Sequence, residues 1–210
     1  MTKGIMVVIS GFSGAGKGTL MKRLLELYPE RYALSVSMTT RQPRPGEEEG
    51  VSYFFRDRNT FEQTIAEDGF IEYASYCENY YGTPRAYVEQ QMSEGRDVIL
   101  EIEIQGALKV KQRFPETLLM FVATPTAAEL ERRLTGRGTE SAEVIRQRMA
   151  RAAEESDGML LYDNIVINDD LDQCAKQIHE IIQAAKTAAG RNREFIANMQ
   201  AELKSLMKGE

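Results

Sequence analysis

Residues 5–28 read IMVVISGFSGAGKGTLMKRLLELY, in which an apolar run, a glycine-rich turn and a helical pattern follow one another directly. Ile5 to Ser10 is short and apolar almost throughout, which predicts a fully buried strand. From about Lys17 to Tyr28 the apolar residues recur at helical spacing, which predicts a helix. A buried strand that passes through glycines into a helix is the context that a phosphate-binding loop requires.

The turn between strand and helix supplies the candidate phosphate ligands, which are Gly11, Phe12, Ser13, Gly14, Ala15, Gly16, Lys17, Gly18 and Thr19. Glycines allow backbone N–H groups to curl round phosphates, the helix N-terminus adds partial positive charge, and Lys17 adds a full one. A purely structural glycine turn is the alternative, and the Gly16–Lys17 pair argues against it. Serine or threonine usually follows the lysine and contacts Mg²⁺. Here Gly18 follows it, so the hydroxyl is displaced to Thr19, and adenylate kinases resemble the sequence at this point.

Composition excludes several classes of protein. The chain has 210 residues and a formal net charge of −6, which argues against a general nucleic-acid binder. No apolar segment approaches the length of a membrane span, and the opening apolar run is too short for a signal peptide. Cys77 and Cys174 lack metal-ligand spacing, so we expect two free thiols and a cytoplasmic location.

The second half of the chain alternates strands with helices. The predicted strands are Val98–Ile104, Leu118–Ala123 and Ile165–Asn168. The predicted helices are Gln105–Arg113, one capped by Thr126 and Glu129, Ser141–Asp157, Leu171–Ala189 ended by Gly190, and an amphipathic segment that runs to the C-terminus. This alternation predicts an α/β fold, with a mainly parallel P-loop sheet covered by helices on both faces.

Residues 35–95 differ from the rest, because short strand-like runs (SVSM, YFF, FIEYA) mix with turns. One helix is predicted to start at a capping box of Thr60 and Gln63, and another at Thr83–Pro84. We therefore expect an inserted mixed α/β lobe. The predicted domains are a core (1–34, 96–125 and 157–190), the lobe (35–95), a helical lid (126–156) and a C-terminal helical extension (191–210).

Charged residues are concentrated at three places. Arg41 and Arg44 are each followed by a proline within two residues, which stiffens the loop and aims two guanidinium groups at one target; a solvated basic turn is the alternative. Glu101 and Glu103 lie two apart on a predicted strand and so share a face. Five arginines surround the Gly136–Gly138 loop, namely Arg132, Arg133, Arg137, Arg148 and Arg151. Arg151 also has helical spacing to Glu155, so a salt bridge on a solvated face is the alternative for it.

Seven motifs occur in the same order as in one known family. SVSMTTRQPRPGE, GVSYFF, FIEYA, NYYGT, ILEIEIQGA, RLTGRGTE and VINDDL together resemble guanylate kinase, from residue 4 to about residue 185. The resemblance implies transfer of the terminal phosphoryl group of ATP to GMP, with Mg²⁺ as cofactor.

The resemblance also implies roles for individual residues. The GMP phosphate would be held by Arg41, Arg44, Tyr53 and Tyr81, and the guanine by Ser37, Glu72, Thr83 and Glu103. The ATP base would contact Arg133 and Asn168, and the catalytic cations would be Lys17, Arg41, Arg137 and Arg148. Mg²⁺ would be held mainly by phosphates and waters, with Thr19 and Glu101 acting through water. Glutamates at 101 and 103 depart from the aspartates of many family members.

The chemistry of guanine supports the role of Glu72 independently. N1–H and the 2-amino group are neighbouring donors that one carboxylate accepts together, whereas adenine lacks this pair.

The only histidine, His179, lies in a predicted C-terminal helix, where a surface or hydrogen-bonded position is expected. Two alternatives remain: a kinase for another nucleoside monophosphate, and a guanylate kinase-like interaction module without catalysis. The pattern does not choose between a monomer and a homo-oligomer.

Overall fold

The computed structural model describes residues 3–136 and 141–207. Its strands are β1 (Met6–Gly11), β2 (Tyr32–Leu34), β3 (Met38–Thr39), β4 (Phe54–Phe55), β5 (Phe70–Tyr76), β6 (Asn79–Pro84), β7 (Asp97–Glu101), β8 (Leu118–Ala123) and β9 (Asn164–Ile167). Its helices are α1 (Lys17–Leu27), α2 (Arg58–Ala66), α3 (Arg85–Ser93), α4 (Ile104–Arg113), α5 (Ala127–Thr135), α6 (Ala142–Ser156), α7 (Leu171–Lys186) and α8 (Arg193–Met207), with short 3₁₀ turns at Met159–Leu161 and Ala189–Asn192.

The central sheet has five strands in the order β2–β7–β1–β8–β9, and every neighbouring pair is parallel. β1 lies in the middle, and five of its six residues are buried. A parallel sheet places the carboxyl ends of its strands at one edge, so the glycine-rich turn after β1 emerges beside the ends of β7 and β8. The predicted α/β class with a parallel core is confirmed.

Helices cover both faces because the side chains of β1 alternate. Val7 and Ile9 pack in one cluster with residues of α1 and α7, such as Leu20 and Ile178. Met6 and Val8 pack in the other cluster with residues of α3 and α4. Both faces of β1 are apolar apart from the buried Ser10, as expected of a strand that is buried on both sides. The two clusters fix the sheet between its helices and so fix the loop that follows β1.

A second sheet belongs to the inserted segment, with the order β4–β3–β6–β5. β3 runs parallel to β4 and antiparallel to β6, and β5 and β6 form a hairpin. The predicted start of the first helix in this segment was wrong. The N-cap lies three residues earlier than predicted, because the side chain of Asp57 accepts the N–H of Thr60 at 2.8 Å and α2 begins at Arg58.

Other helix and strand ends were also misplaced. β7 ends at Glu101 instead of Ile104, because α4 already begins at Ile104 with Glu103 as its N-cap. Glu101 and Glu103 therefore do not share the face of one strand. α7 ends at Lys186 instead of Ala189, and Gly190 lies in the following 3₁₀ turn.

The C-terminal helix α8 has no buried residue. Its larger apolar side chains are exposed to solvent, namely Phe195, Met199, Leu203, Leu206 and Met207. None of the helices within the described ranges is long and apolar enough to cross a membrane.

We expect the core to keep its stability when the chain is truncated after Asn192, because no residue of α8 is buried and only Ile196 is half-buried. The melting temperature should change by no more than roughly 3 °C, which corresponds to about 1 kcal/mol in a chain of this size. Circular dichroism melting measures this change, and truncation before α7, which carries Ile178 and Ile182 of the core, is the positive control. A large fall after removal of α8 alone would contradict the expectation.

Candidate active site

The glycine-rich turn is shaped by close contacts that exclude side chains. A Cβ at Gly11 would lie 2.2 Å from the carbonyl oxygen of Val122, its partner across β1 and β8. Gly14 and Gly16 have φ values of +94° and +89°, and a Cβ at Gly16 would lie 2.7 Å from Nδ2 of Asn168. These three glycines are therefore required by the backbone conformation and by the space available.

Lys17 is the first residue of α1 and folds back over the turn that precedes it. Its Nζ donates to the carbonyl oxygens of Gly11 at 2.7 Å and Phe12 at 3.1 Å. The ammonium group therefore lies over the turn, beside the N-terminus of α1, where both charges favour an anion.

A cavity of about 400 Å³ opens at the carboxyl ends of β1 and β7. Its walls come from the turn after β1, from the β7–α4 connection and from α6, with Gly11, Ser13, Lys17, Glu101, Ile102, Glu103, Ile104, Arg148, Arg151 and Glu155 as lining residues. Although β7 is shorter than predicted, both glutamates reach this one cavity. Three cations and three carboxylates thus meet in it, as expected for a site that handles charged groups.

Two arginines of α6 reach this cavity. Arg148 Nη1 donates to the hydroxyl of Ser13 at 3.1 Å, which joins α6 to the glycine-rich turn. Arg151 Nε donates to Glu155 at 2.9 Å, as its helical spacing suggested, and its Nη2 also pairs with Glu103. The salt bridge predicted within the helix is confirmed, but the same arginine contacts a predicted guanine-binding residue, which the spacing did not indicate.

Arg133 and Asn168 lie together behind the turn. Arg133 Nη2 donates to the carbonyl of Asn168 at 2.9 Å, and Asn168 Nδ2 donates to the carbonyl of Ala15 at 2.8 Å. Arg133 Nε is held by Glu129 at 2.7 Å. The two predicted ATP-base residues are thus adjacent, although they come from α5 and from the end of β9.

Two of the four predicted guanine readers, Glu72 and Thr83, meet on the lobe sheet. Glu72 of β5 lies opposite Thr83 of β6, and the Thr83 hydroxyl donates to Glu72 Oε1 at 2.8 Å. A Cβ at Gly106 would lie 3.8 Å from Glu72 Oε2, so this carboxylate faces the first turn of α4. Burial raises the pKa of Glu72, an effect that its hydrogen bonds with Thr83 oppose. Ser37 is half-buried immediately before β3, and its carbonyl accepts the N–H of Phe54.

The predicted phosphate-binding residues of the lobe are grouped round one guanidinium. Arg41 lies over the ring of Tyr53, 5.3 Å from its centroid, and Tyr81 is close enough to help raise the pKa of its guanidinium. The rings of Tyr53 and Tyr81 are 6.1 Å apart. Arg44 is exposed at the turn that follows.

Glu47 is the residue that sequence reasoning missed. It takes both terminal nitrogens of Arg41, at 2.9 and 3.0 Å, and no role was predicted for it. The pair is six residues apart across a turn and has no periodicity that would reveal it. The RPGE end of the first family motif was the available signal.

Two further predictions have different outcomes. Arg137 lies outside the described residues. His179 Nδ1 is hydrogen-bonded to the Tyr32 hydroxyl at 2.6 Å, and its ring stacks on Tyr28, so the histidine has a structural partner as expected.

The candidate magnesium residues, Thr19 and Glu101, carry the oxygen atoms that the ion takes as ligands. Mg²⁺ prefers oxygen ligands and usually keeps several waters beside one or two carboxylates and the substrate phosphates. Glu101 is an exposed carboxylate in the same cavity as Ser13 and Lys17, and Thr19 is exposed on the first turn of α1. A Cβ at Gly18 would meet no atom within 4 Å, so the structure has room for a serine or threonine side chain at this position. Glu101 therefore fits a hydrated ion in this cavity, whereas Thr19 is not among the residues that line it.

Comparison with known proteins places this geometry in a family. The family model described as guanylate kinase matches residues 3–185. A guanylate kinase of Synechococcus sp. (strain CC9902) is 52% identical over 180 residues, which are 86% of this chain and 96% of that protein. A guanylate kinase of Desulfitobacterium hafniense (strain Y51) is 50% identical over 188 residues, 90% of this chain and 94% of that protein. The crystal structure of guanylate kinase from Anaplasma phagocytophilum has a TM-score of 0.68 at 31% identity and covers 90% of each chain.

The raised pKa of Glu72 leads to a prediction about stability without nucleotide. The folded protein binds a proton at Glu72 more tightly than the unfolded chain does. Stability from this group is therefore present at low pH and is lost as the pH rises above the unfolded pKa of about 4.3. Glu72→Gln removes that loss, so we expect its melting temperature at pH 8 to rise by roughly 2–4 °C, the effect of about 1 kcal/mol.

The gain should be smaller at pH 5 than at pH 8. Circular dichroism melting at both pH values measures it, and Glu89→Gln, at an exposed position of α3, is the matched control. A lower melting temperature for Glu72→Gln at pH 8 would show that the ionised carboxylate stabilises the empty protein.

Proposed function

The chain belongs to the guanylate kinase family, and from that membership we propose that it transfers the γ-phosphoryl group of ATP reversibly to GMP, giving ADP and GDP. One observation carries the proposal beyond membership: Arg148 contacts Ser13, so a lid guanidinium and the Lys17 ammonium line one cavity. This arrangement supplies converging positive charge where a phosphoryl group would move.

The reaction requires positioning and charge stabilisation more than proton transfer. A phosphate oxygen of GMP is already ionised, so no base has to remove a proton before it attacks the γ-phosphorus. Turn amides, Lys17 and Arg148 would hold the donor, and Arg41 and Arg44 would hold the acceptor. Glu101 and Thr19 would hold Mg²⁺ through water, and the bound ion neutralises charge on the donor phosphates.

Selection of guanine is assigned to the Glu72–Thr83 pair. Glu72 would accept N1–H and the 2-amino group, and the Thr83 or Ser37 hydroxyl would donate to O6. The partly buried carboxylate with a raised pKa supports this role, since an adenine base would not supply the pair of donors that the carboxylate accepts from guanine. Glu103 and the pair of Arg133 and Asn168 complete the two base sites.

The proposed domains follow the same division of labour. The core (1–34, 96–125 and 157–190) would carry the phosphate loop, the lobe (35–95) would bind GMP, and the lid (126–156) would cover ATP. We propose that lobe and lid close over the core to exclude water, which would otherwise hydrolyse ATP. The substrates and the two free cysteines suit the cytoplasm, where we place the enzyme.

A panel of acceptors tests the proposal. Release of ADP should be fastest with GMP and slow with AMP, UMP and dTMP, and it is followed in a coupled spectrophotometric assay. Faster turnover of AMP would favour a kinase for another nucleoside monophosphate, and no turnover at all would favour an interaction module. Lys17→Ala should lose roughly 100-fold or more in rate, as loss of a preorganised charge does, with an unchanged circular dichroism spectrum.

The position after Lys17 gives a separate test of the Mg²⁺ arrangement. Gly18→Ser places a hydroxyl where space is open. We expect it to lower the Mg²⁺ concentration for half-maximal activity by roughly threefold, because Mg²⁺ prefers oxygen ligands. Gly18→Ala adds the Cβ without the oxygen and is the matched control. Equal behaviour of the two variants would show that the hydroxyl plays no part.

A further inference from the structure

Glu47 joins the two arginines of the lobe loop. Its Oε1 accepts Nη2 of Arg41 at 2.9 Å, and its Oε2 accepts Nη1 of Arg41 at 3.0 Å. Oε2 also accepts the backbone N–H of Arg44 at 2.8 Å. One carboxylate therefore fixes the side chain of the first arginine and the backbone of the second.

The pair is better shielded from water than a typical surface salt bridge. The Arg41 side chain is 14% exposed and the Glu47 side chain is 21% exposed. The contact is bidentate, and Tyr53 covers the guanidinium from one side. Bidentate carboxylate–arginine pairs add geometric specificity to their energy. The pKa of Glu47 is lowered, first by Arg41 and then by the amide of Arg44, so the carboxylate is ionised at neutral pH.

The edge of the Arg41 guanidinium that pairs with Glu47 determines which of its N–H groups remain to bind a phosphate. Glu47 takes the end edge of the guanidinium, formed by Nη1 and Nη2, and Nη1 also donates to the carbonyl of Gln42 at 2.8 Å. The N–H of Nε and the second N–H of Nη2 form the other planar edge, which can donate two parallel hydrogen bonds to a phosphate as the first edge does to the carboxylate. The pairing thus orients the group that phosphate recognition needs.

We propose that Glu47 is a positioning residue for the acceptor phosphate, acting through Arg41 and through the turn that carries Arg44. The assignment rests on the proposed function, since it takes GMP as the molecule whose phosphate Arg41 binds. An arginine that is already held in one rotamer loses less conformational freedom when its ligand arrives. Glu47 therefore strengthens GMP binding although it does not touch GMP itself.

The opposite role would give the opposite sign. If Glu47 competed with phosphate for Arg41, its removal would strengthen GMP binding. If Glu47 only supported the fold, its removal would lower the melting temperature and would affect GMP and ATP alike. The sign and the selectivity of the effect separate these roles.

The experiment compares Glu47→Gln with wild type in steady-state kinetics and in calorimetric titration of GMP without ATP. We expect the KM and the Kd for GMP to rise roughly tenfold, equivalent to about 1.4 kcal/mol, and the KM for ATP to stay within roughly twofold. Glu49→Gln is the matched control, because Glu49 pairs with Arg56 at 2.6 Å and with the Phe55 N–H in the same loop. Its GMP constants should equal those of wild type.

A double-mutant cycle shows whether Glu47 acts through Arg41. Once Arg41→Gln has removed the guanidinium, adding Glu47→Gln should raise the Kd for GMP by clearly less than in wild type, because only the contact of Glu47 with the Arg44 N–H is then left to lose and coupled residues are non-additive. Full additivity, tighter GMP binding by Glu47→Gln, or an equal rise in the constants for GMP and ATP would each overturn the assignment. If wild type binds and phosphorylates GMP and Glu47→Gln has the same constants for GMP, only this inference is refuted. If wild type does not bind GMP, the proposed function and this inference are refuted together.

Discussion

Gly11 and Val122 lie side by side at the carboxyl ends of β1 and β8, and the distance between them governs the whole site. A Cβ at Gly11 would approach the Val122 carbonyl to 2.2 Å, so any side chain would push the two strands apart or displace the turn. The strands cannot yield, because both faces of β1 are packed in the core. The turn consequently leaves the sheet at a fixed point, and α1 begins where Lys17 can fold back over that turn. The position of the ammonium group is thus decided by backbone packing beneath it.

The cations of the site are held by protein acceptors in the structure. Lys17 donates to carbonyl groups of its own turn, Arg41 is held by Glu47, and Arg151 is held by Glu103. A cluster of positive groups without partners would repel itself and lose solvation, so local acceptors stabilise the arrangement. The acceptors differ in kind, because carbonyl groups release a cation to phosphate more readily than a bidentate carboxylate does. On this argument Lys17 is suited to move onto a nucleotide, while Arg41 is suited to stay where it is.

The sequence predicted secondary structure best where apolar residues form a continuous or periodic pattern. It failed where a helix end or a contact depends on residues that are distant in sequence or on backbone conformation. β8 begins and ends where its apolar run does, at Leu118 and Ala123, because a wholly buried strand has a wholly apolar sequence. The cap of α2 was misplaced because Asp57 and Thr60 are both good cap residues, and only the backbone conformation chooses between them. The family motifs, not periodicity, brought Glu72 and Thr83 into consideration. Their contact across β5 and β6 depends on hairpin register, which composition does not specify.

Glu72 shows how a selective site can be built from an unfavourable interaction. Burial raises the pKa of its carboxyl, so the ionised form is less stable there than in water, and the Thr83 hydroxyl offsets only part of that loss. A base that brings two donors restores hydrogen bonds which solvent no longer supplies, whereas a base without them adds further desolvation. The difference between the two bases would therefore exceed the value of the hydrogen bonds alone, because the wrong base leaves a partly desolvated carboxylate with Thr83 as its only partner. If Glu72 reads guanine as proposed, selectivity at this position would be set before any base binds, through a carboxylate that lies against Gly106 at the start of α4 and is partly shielded from water.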